Sequence, residues 1–412
     1  MPNELRGACL FGQSGGPTAV INASACGVFQ TALALPQITR VLGAAHGIRG
    51  VLDDVIYDIG QEDPIDLELL MNTPSSELGS CRYKLKDPDV DDTDFRRILE
   101  IFKKYDVRYF FYNGGNDSMD TCEKVSRYMA RAGWECRIMG VPKTIDNDLW
   151  GTDHCPGFGS AAKYIATSCM EVSKDSSVYN IGQATVIEIM GRHAGWLAGA
   201  SVLASAAGSG PDLIYLPEVD FDMEKFLADV ERVYKEKGNV LVAVSEGIHD
   251  ADGKLIAEAE VSATDGFGHA QLGGLAVRLA QAIKARLHIK VRGIELSLLQ
   301  RCGAHLASKT DLEEAYLAGK AAVEAAVAGE TGKMVAFERI DDNNSYSVRV
   351  KLIPLDSVAN LESKVPVDWI VPEGNYVKEE FINYALPLIQ GEPERPVINS
   401  LPRYSRLKKI HA

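Results

Sequence analysis

The run Pro142-Lys143-Thr144-Ile145-Asp146-Asn147-Asp148 sets a lysine and two carboxylates close together. Two carboxylates at i and i+2, just past a strand, can divide two tasks. One can hold a magnesium ion while the other takes a proton from an attacking hydroxyl. Lys143 supplies positive charge for a phosphate in transfer. The same residue types also suit an Asx-rich turn with a solvated lysine, so the rest of the chain has to decide between the two.

Three further turns hold comparable residues. Gly12-Gln13-Ser14-Gly15-Gly16-Pro17-Thr18 reads as a turn between a strand and a helix beginning near Pro17. Paired glycines there let backbone N–H groups and a helix N-terminus approach an anion. Gly114-Gly115-Asn116-Asp117-Ser118 repeats the arrangement, although Ser118 alone suits a helix cap. Asp117 at a phosphate is repulsive unless a metal or a lysine lies nearby. Met190-Gly191-Arg192-His193, Glu246-Gly247, Arg292 and Arg301 complete the set. Arginines at strand ends grip phosphates in bidentate fashion, and Glu246 can accept hydrogen bonds from sugar hydroxyls. Gly157-Phe158-Gly159-Ser160-Ala161-Ala162 fits the loose G-x-G-x-x-A pattern, but Thr-Asp-His-Cys-Pro precedes it in place of a strand. NAD binding is therefore not expected. No Walker loop occurs, and His46, His154 and His305 have no evident partner in the sequence.

The elements that must position these turns are legible as alternating patterns. Ala8–Phe11, Val41–Ala44, Val107–Tyr112, Arg137–Val141, Ala184–Ile189, Leu213–Leu216, Val240–Val244 and Val291–Leu296 read as strands. Lys333–Phe337 and Tyr346–Leu352 read as late strands, and the stretches 270–286 and 310–328 as helices. Asp87–Asp94 reads as an acidic surface loop. This alternation predicts mostly parallel sheets with helices on both faces, in two α/β units between which the chain crosses more than once. In such sheets ligands bind at the carboxyl ends of the strands, which is where the four turns fall.

Composition bounds the rest. A chain of 412 residues suggests two domains or one elaborate one. Its net charge of −14 argues against a nucleic-acid partner, which needs a basic footprint. Local Arg and Lys can still hold a small anion. The eight cysteines form no C-x-x-C pair, and no His pair has zinc spacing. Reduced thiols in a soluble cytoplasmic protein are expected. The N-terminus lacks the apolar core of a signal peptide, and no apolar run nears the ~20 residues of a membrane helix.

Taken in order, Gly-Gly-Asn-Asp-Ser, Pro-Lys-Thr-Ile-Asp-Asn-Asp and Met-Gly-Arg-His-Ala-Gly-Trp resemble the 6-phosphofructokinase family from about Leu10 to about Lys320. The tail, Glu373-Gly374-Asn375-Tyr376-Val377 through Tyr384-Ala385-Leu386-Pro387-Leu388, resembles its pyrophosphate-dependent branch. The resemblance implies two doubly wound, Rossmann-like three-layer domains. Residues 1–157 plus about 302–350 would form the donor half, and 158–301 plus about 351–412 the sugar-phosphate half. It implies that Asp146 activates the sugar 1-hydroxyl. Thr144, Ile145, Met190, Gly191, Arg192 and Glu246 would contact the sugar phosphate. Arg292 and Arg301 would grip its 6-phosphate, one of them from a neighbouring subunit of a homodimer or homotetramer. Gly15, Gly16 and Gly115 would cradle the donor phosphate, Arg82 would steady the group in transfer, and Asn116 and Asp148 would face Mg2+.

The donor follows from two positions. ATP-using members typically carry Gly-Gly-Asp-Gly-Ser and Pro-Gly-Thr-Ile-Asp-Asn-Asp, and here Asp117 and Lys143 replace a glycine in each. Asp117 would face the α-phosphate of ATP, a like-charge contact costing several kcal/mol. Lys143 can hold a small donor, where one charge-assisted hydrogen bond contributes roughly 1.5–3 kcal/mol. Together with these two positions, the resemblance implies reversible, pyrophosphate-dependent phosphorylation of fructose 6-phosphate, a glycolytic and gluconeogenic step. ATP as donor, or a non-catalytic phosphosugar-binding subunit, are the other readings. Three positions depart from the family pattern. Asn116 stands for an Asp, Leu298 for a His or Tyr near the sugar phosphate, and Gln183 for a cross-subunit arginine. The last two leave room for a longer acceptor such as sedoheptulose 7-phosphate.

Overall fold

The structure, a computed structural model, describes residues 5–178, 180–257, 274–342, 345–359 and 361–412. Its first sheet is built from β1 (Gly7–Gln13), β2 (Ile38–Ala44), β3 (Ile56–Asp58), β4 (Val107–Gly114) and β5 (Arg137–Pro142). The second takes β6 (Gln183–Ile189), β7 (Leu213–Tyr215), β8 (Val240–Ser245) and β9 (Lys290–Glu295). The chain then returns to the first sheet with β10 (Lys333–Asp342) and β11 (Ser345–Pro354). A short ribbon, β12 (Val397–Ile398) and β13 (Leu401–Pro402), lies near the end.

The seven-stranded sheet has the order β11-β10-β5-β4-β1-β2-β3, and the four-stranded sheet β7-β8-β6-β9. All pairings in the smaller sheet are parallel, and in the larger only β10–β11 and β2–β3 are antiparallel. Every residue of β1, β6 and β8 is buried. That is why these strands are near-continuous apolar runs: parallel strands are covered on both faces.

Helices supply the covering. On one face of the large sheet, helices Ile21–Ala34 and Lys309–Val327 pack together with Phe11, Phe111 and Val141. Two glycines let them touch backbone to backbone. A Cβ on Gly27 would lie 2.2 Å from the Tyr316 carbonyl oxygen, and one on Gly319 would lie 2.1 Å from that of Ser24. Helices Thr93–Lys104 and Asn116–Arg131 cover the opposite face through Phe95, Phe102, Met119 and Val125. The small sheet lies between Phe158–Ser176, with the tail helix Glu379–Ala385, and the pair Met223–Lys237 and Leu275–Leu287. Each unit thus has three layers, the doubly wound architecture expected.

Several sequence expectations shift. The first helix begins at Ile21, not near Pro17, because Thr18 Oγ1 accepts from Val20 N at 3.2 Å and holds a turn there. The helix end therefore stands five residues past Gly16 and adds no dipole at that turn. Thr93 and Asp94, read as loop, open a helix. The helix expected over 270–286 starts at Leu275 within the described residues, and 270–273 lie outside them. The division at 350 also moves. Lys351–Pro354 complete β11. Ser405 N donates to Thr73 Oγ1, Lys408 N to Glu62 and Ala412 N to Ile56 O, which ties 405–412 to the first unit and not the second. The outer edge of β3 is closed by an antiparallel bridge between Tyr57 and His411. All eight cysteines are free. Among the described residues, no helix is long and apolar enough to cross a membrane.

Candidate active site

A cavity of about 850 Å³ opens at the carboxyl ends of the strands of both sheets. Gly15 and Gly16 reach it after β1, Asn116 and Asp117 after β4, and Lys143 to Asp148 after β5. From the small sheet come Met190 and Arg192 after β6, Glu246 after β8, and Leu298 and Arg301 after β9. Residues that lie far apart in sequence meet here because consecutive parallel strands all deliver their ends to one side.

One end of the cavity is cationic. Lys143 is only 2% exposed, and its Nζ donates to Gly16 O at 2.6 Å. Gly15 sits at φ +76° and donates its N–H to Cys81 O, while its own carbonyl accepts from Ser80 Oγ at 2.6 Å. A Cβ on Gly15 would meet Lys143 Nζ at 3.3 Å, and one on Gly16 would meet Arg301 Nη1 at 3.0 Å. The paired glycines are thus the space that the two cationic tips occupy. Burial pulls the Lys143 ammonium down to about 8, with Arg301 and Arg82 adding to the effect against Asp146. Burial, then the neighbouring Arg82, likewise lowers Arg301. Lys143 and Arg301, held together and partly starved of water beside the exposed Arg82, favour an anion between them.

Asp117 occupies the first turn of helix Asn116–Arg131, where negative charge is favourable. Its nearest cation is Lys84, at 3.6 Å. Sequence reasoning missed Lys84, although the Arg82-Tyr83-Lys84 run was the available signal.

The other end is acidic. Asp146 N donates to Thr144 Oγ1 at 3.1 Å, closing a tight turn. Burial raises the Asp146 carboxyl, and Lys143 offsets part of that rise. Asp148 is pushed up to about 7 by burial, then by Asp146 and Glu362. Asn116 Nδ2 donates to Asp148 Oδ2 at 3.1 Å, and Asn116 Oδ1 is buried with no partner among the described residues. An orphaned oxygen beside a carboxylate whose negative charge is disfavoured by burial and by like-charged neighbours fits a hard divalent cation, which would supply the counter-charge. No group of three or more His, Cys, Asp or Glu among the described residues could hold a metal unaided. That too suits magnesium, which binds through one or two carboxylates plus water and substrate phosphates.

On the small-sheet side, Gly191 (φ +129°) donates its N–H to Glu246 Oε1 at 3.2 Å. Burial raises Glu246 to about 7. Met190 N donates to Gln300 Oε1 at 3.2 Å. Glu188, Ser297, Gln300 and Glu362 also line the cavity and carried no sequence signal. Glu362 is brought in by an antiparallel bridge with Leu149.

The remaining singled-out positions are placed as follows. Arg292 is exposed on β9, the outer strand of the small sheet, and does not line this cavity. Arg301, expected at the distal sugar phosphate, lies against Gly16 on the donor side. Gln183 is 3% exposed at the start of β6. The G-x-G-x-x-A stretch opens helix Phe158–Ser176, and its N-terminus is filled from within. Asp311 accepts from Gly157 N and Ser160 N, each at 2.8 Å.

Comparison with known proteins places this geometry. The phosphofructokinase family model matches residues 9–326. Pyrophosphate--fructose 6-phosphate 1-phosphotransferase of Halomonas elongata is 45% identical over 403 residues, covering 97% of this chain and 96% of the relative. Sulfofructose kinase of Alkalicoccus urumqiensis is 33% identical, covering 88% and 91%. The crystal structure of the pyrophosphate-dependent phosphofructokinase from Nitrosospira multiformis superposes with a TM-score of 0.88 at 42% identity, covering 98% of this chain and 97% of that one. With its two three-layer units, its shared cavity and a match over most of its length, the chain belongs to the phosphofructokinase family.

Proposed function

We propose that this protein transfers a phosphoryl group reversibly between pyrophosphate and the 1-hydroxyl of fructose 6-phosphate, giving fructose 1,6-bisphosphate and phosphate. The observation that carries the donor assignment is Lys143: a buried ammonium stands where a nucleotide-using member has glycine, at the Gly16 turn and flanked by Arg82 and Arg301. Asp117 adds negative charge where the rest of a nucleotide would pass. The relatives named for pyrophosphate chemistry support the same reading.

In this reading Gly15, Gly16, Gly115 and Lys143 hold the donor. Asp146 takes the proton of the sugar 1-hydroxyl, whose oxygen bonds to the nearer phosphorus. The bridging P–O bond breaks and phosphate leaves. Arg82, Lys143 and Arg301 offset the charge that develops. Asn116 and Asp148 would hold Mg2+, which when bound neutralises phosphate oxygens. Thr144, Ile145, Met190, Gly191, Arg192 and Glu246 orient the sugar phosphate. Arg292, exposed on an outer strand, would serve the site of a second copy in a homo-oligomer.

A broader acceptor range has its own support. Leu298, 54% exposed at the cavity wall, offers no polar partner to a sugar hydroxyl or phosphate. A chain-extended sugar phosphate would lose little there.

The test offers purified protein pyrophosphate and ATP in turn, with fructose 6-phosphate and sedoheptulose 7-phosphate as acceptors. Turnover with pyrophosphate is expected; turnover with ATP and none with pyrophosphate overturns the donor.

A further inference from the structure

Asn147 lies between the two acidic residues of the site with φ +58°, a left-handed conformation that few residues other than Gly, Asn and Asp tolerate. Both ends of its buried amide are used. Oδ1 accepts from Cys155 N at 2.8 Å, and Nδ2 donates to the Tyr384 hydroxyl at 2.7 Å. That hydroxyl in turn donates to Asp153 O at 2.8 Å. The polarity of the relay is fixed: a carbonyl can only accept, so the phenol proton points at Asp153 and its lone pair faces Asn147.

Tyr384 comes from the tail helix Glu379–Ala385, more than two hundred residues downstream. Its ring is held on several sides. Trp196 and Trp369 lie 5.0 and 5.6 Å away between centroids, and the Arg339 guanidinium is 4.9 Å from the ring centre. Arg339 also donates to the Tyr384 carbonyl at 2.9 Å. Burial pushes the phenol well above its ordinary range, so it stays a donor throughout the neutral region. Tyr384 does not line the cavity.

From this relay we infer that Tyr384 is a positioning residue for phosphoryl transfer: through Asn147 it fixes the strained turn that separates and aims Asp146 and Asp148. The tail does not merely cover the small-sheet unit. Its hydroxyl reaches across to the loop after β5 and sets the orientation of the acid–base group. The inference rests on the proposed role of Asp146, and the experiment separates the two.

Tyr384→Phe keeps the ring and deletes the hydroxyl. Loosening a reacting group by an ångström costs up to about 10²-fold in rate. We therefore expect kcat with pyrophosphate to fall about 10- to 100-fold, KM for both substrates to change by less than about threefold, and the acid limb of the pH–rate profile to move. In the double variant with Asn147→Ala, the two losses should not multiply, because the hydroxyl acts through that amide. Should Tyr384→Phe not fold, Asn147→Asp tests the same bond by replacing the donor while leaving the aromatic cluster intact, with the same expected signature. Wild-type kcat and pH profile in the folded variant, or fully multiplicative losses, overturn the inference. Asp146→Asn is measured alongside. If that variant keeps full activity, the assignment of Asp146 falls and the positioning role falls with it. If it is inactive, the Tyr384 data decide alone.

Discussion

Lys143 Nζ rests 2.6 Å from the carbonyl oxygen of Gly16, with no carboxylate oxygen within ion-pairing distance among the described residues. A backbone carbonyl carries only a partial charge, so this buried ammonium is under-compensated, and its pKa lies near 8. An anionic donor would supply the missing charge.

Pyrophosphate binding should therefore carry protons with it. At pH 8 Lys143 is about half protonated, and the multiple negative charge of bound pyrophosphate raises its pKa. Titration calorimetry in two buffers of different ionisation enthalpy should show proton uptake near pH 8 that fades toward pH 6, where Lys143 is already charged. In Lys143→Arg the side chain stays charged, and the uptake near pH 8 should disappear.

Replacing Asp117 and Lys143 together by glycine should exchange donors. Turnover with pyrophosphate should drop by at least one to two decades, the value of one charge-assisted hydrogen bond at roughly 1.5–3 kcal/mol. Turnover with ATP should rise. Steady-state kinetics with each donor measure both, and unimproved use of ATP would count against the charge argument at Asp117.

Asp146→Asn should lower kcat by about 10²–10⁴ without unfolding the protein. Burial raises the carboxyl in the folded state, so its ionised form is disfavoured there and opposes folding at neutral pH. The neutral amide should melt at the same temperature or higher at pH 7.5. A pH–rate profile of the wild type should show an acid limb governed by Asp146, and a fall above about 8 as Lys143 loses its proton.

His154 makes the opposite linkage. Burial disfavours its charge, but Asp153 at 2.8 Å and Glu314 at 2.7 Å outweigh burial and raise it to about 9. Its stabilisation is complete below the unfolded pKa of about 6.5 and is lost as pH rises through about 9. The melting temperature should decline between pH 6.5 and 10, and His154→Gln should flatten that decline while lowering the plateau.

The parts of the site that the sequence made legible are those where one short run does one job. Lys143, Asp146 and Asp148 are contiguous in the chain, and the glycines before them had a visible spacing. The strands were legible for a related reason: full burial on both faces leaves an unbroken apolar run, as in β8. Glu362 and Gln300 were not legible, because each joins the site through a bridge or a single hydrogen bond from a distant segment, and the tail run that holds Tyr384 gave no sign of its bond to Asn147. His154 looked solitary in sequence, yet Glu314 lies 160 positions away and 2.7 Å distant. The Pro17 helix start failed on one side chain, the Thr18 hydroxyl.

The bridge between Tyr57 and His411 has a consequence for how this chain behaves in a crowded solution. The β3 side of the large sheet would otherwise present open N–H and C=O groups, a template onto which another molecule's strand can add. The docked tail, anchored through Thr73 and Glu62, occupies that template. Removing residues 405–412 should leave the cavity chemistry intact and yet produce a protein that self-associates through that edge, visible as light scattering that grows with concentration.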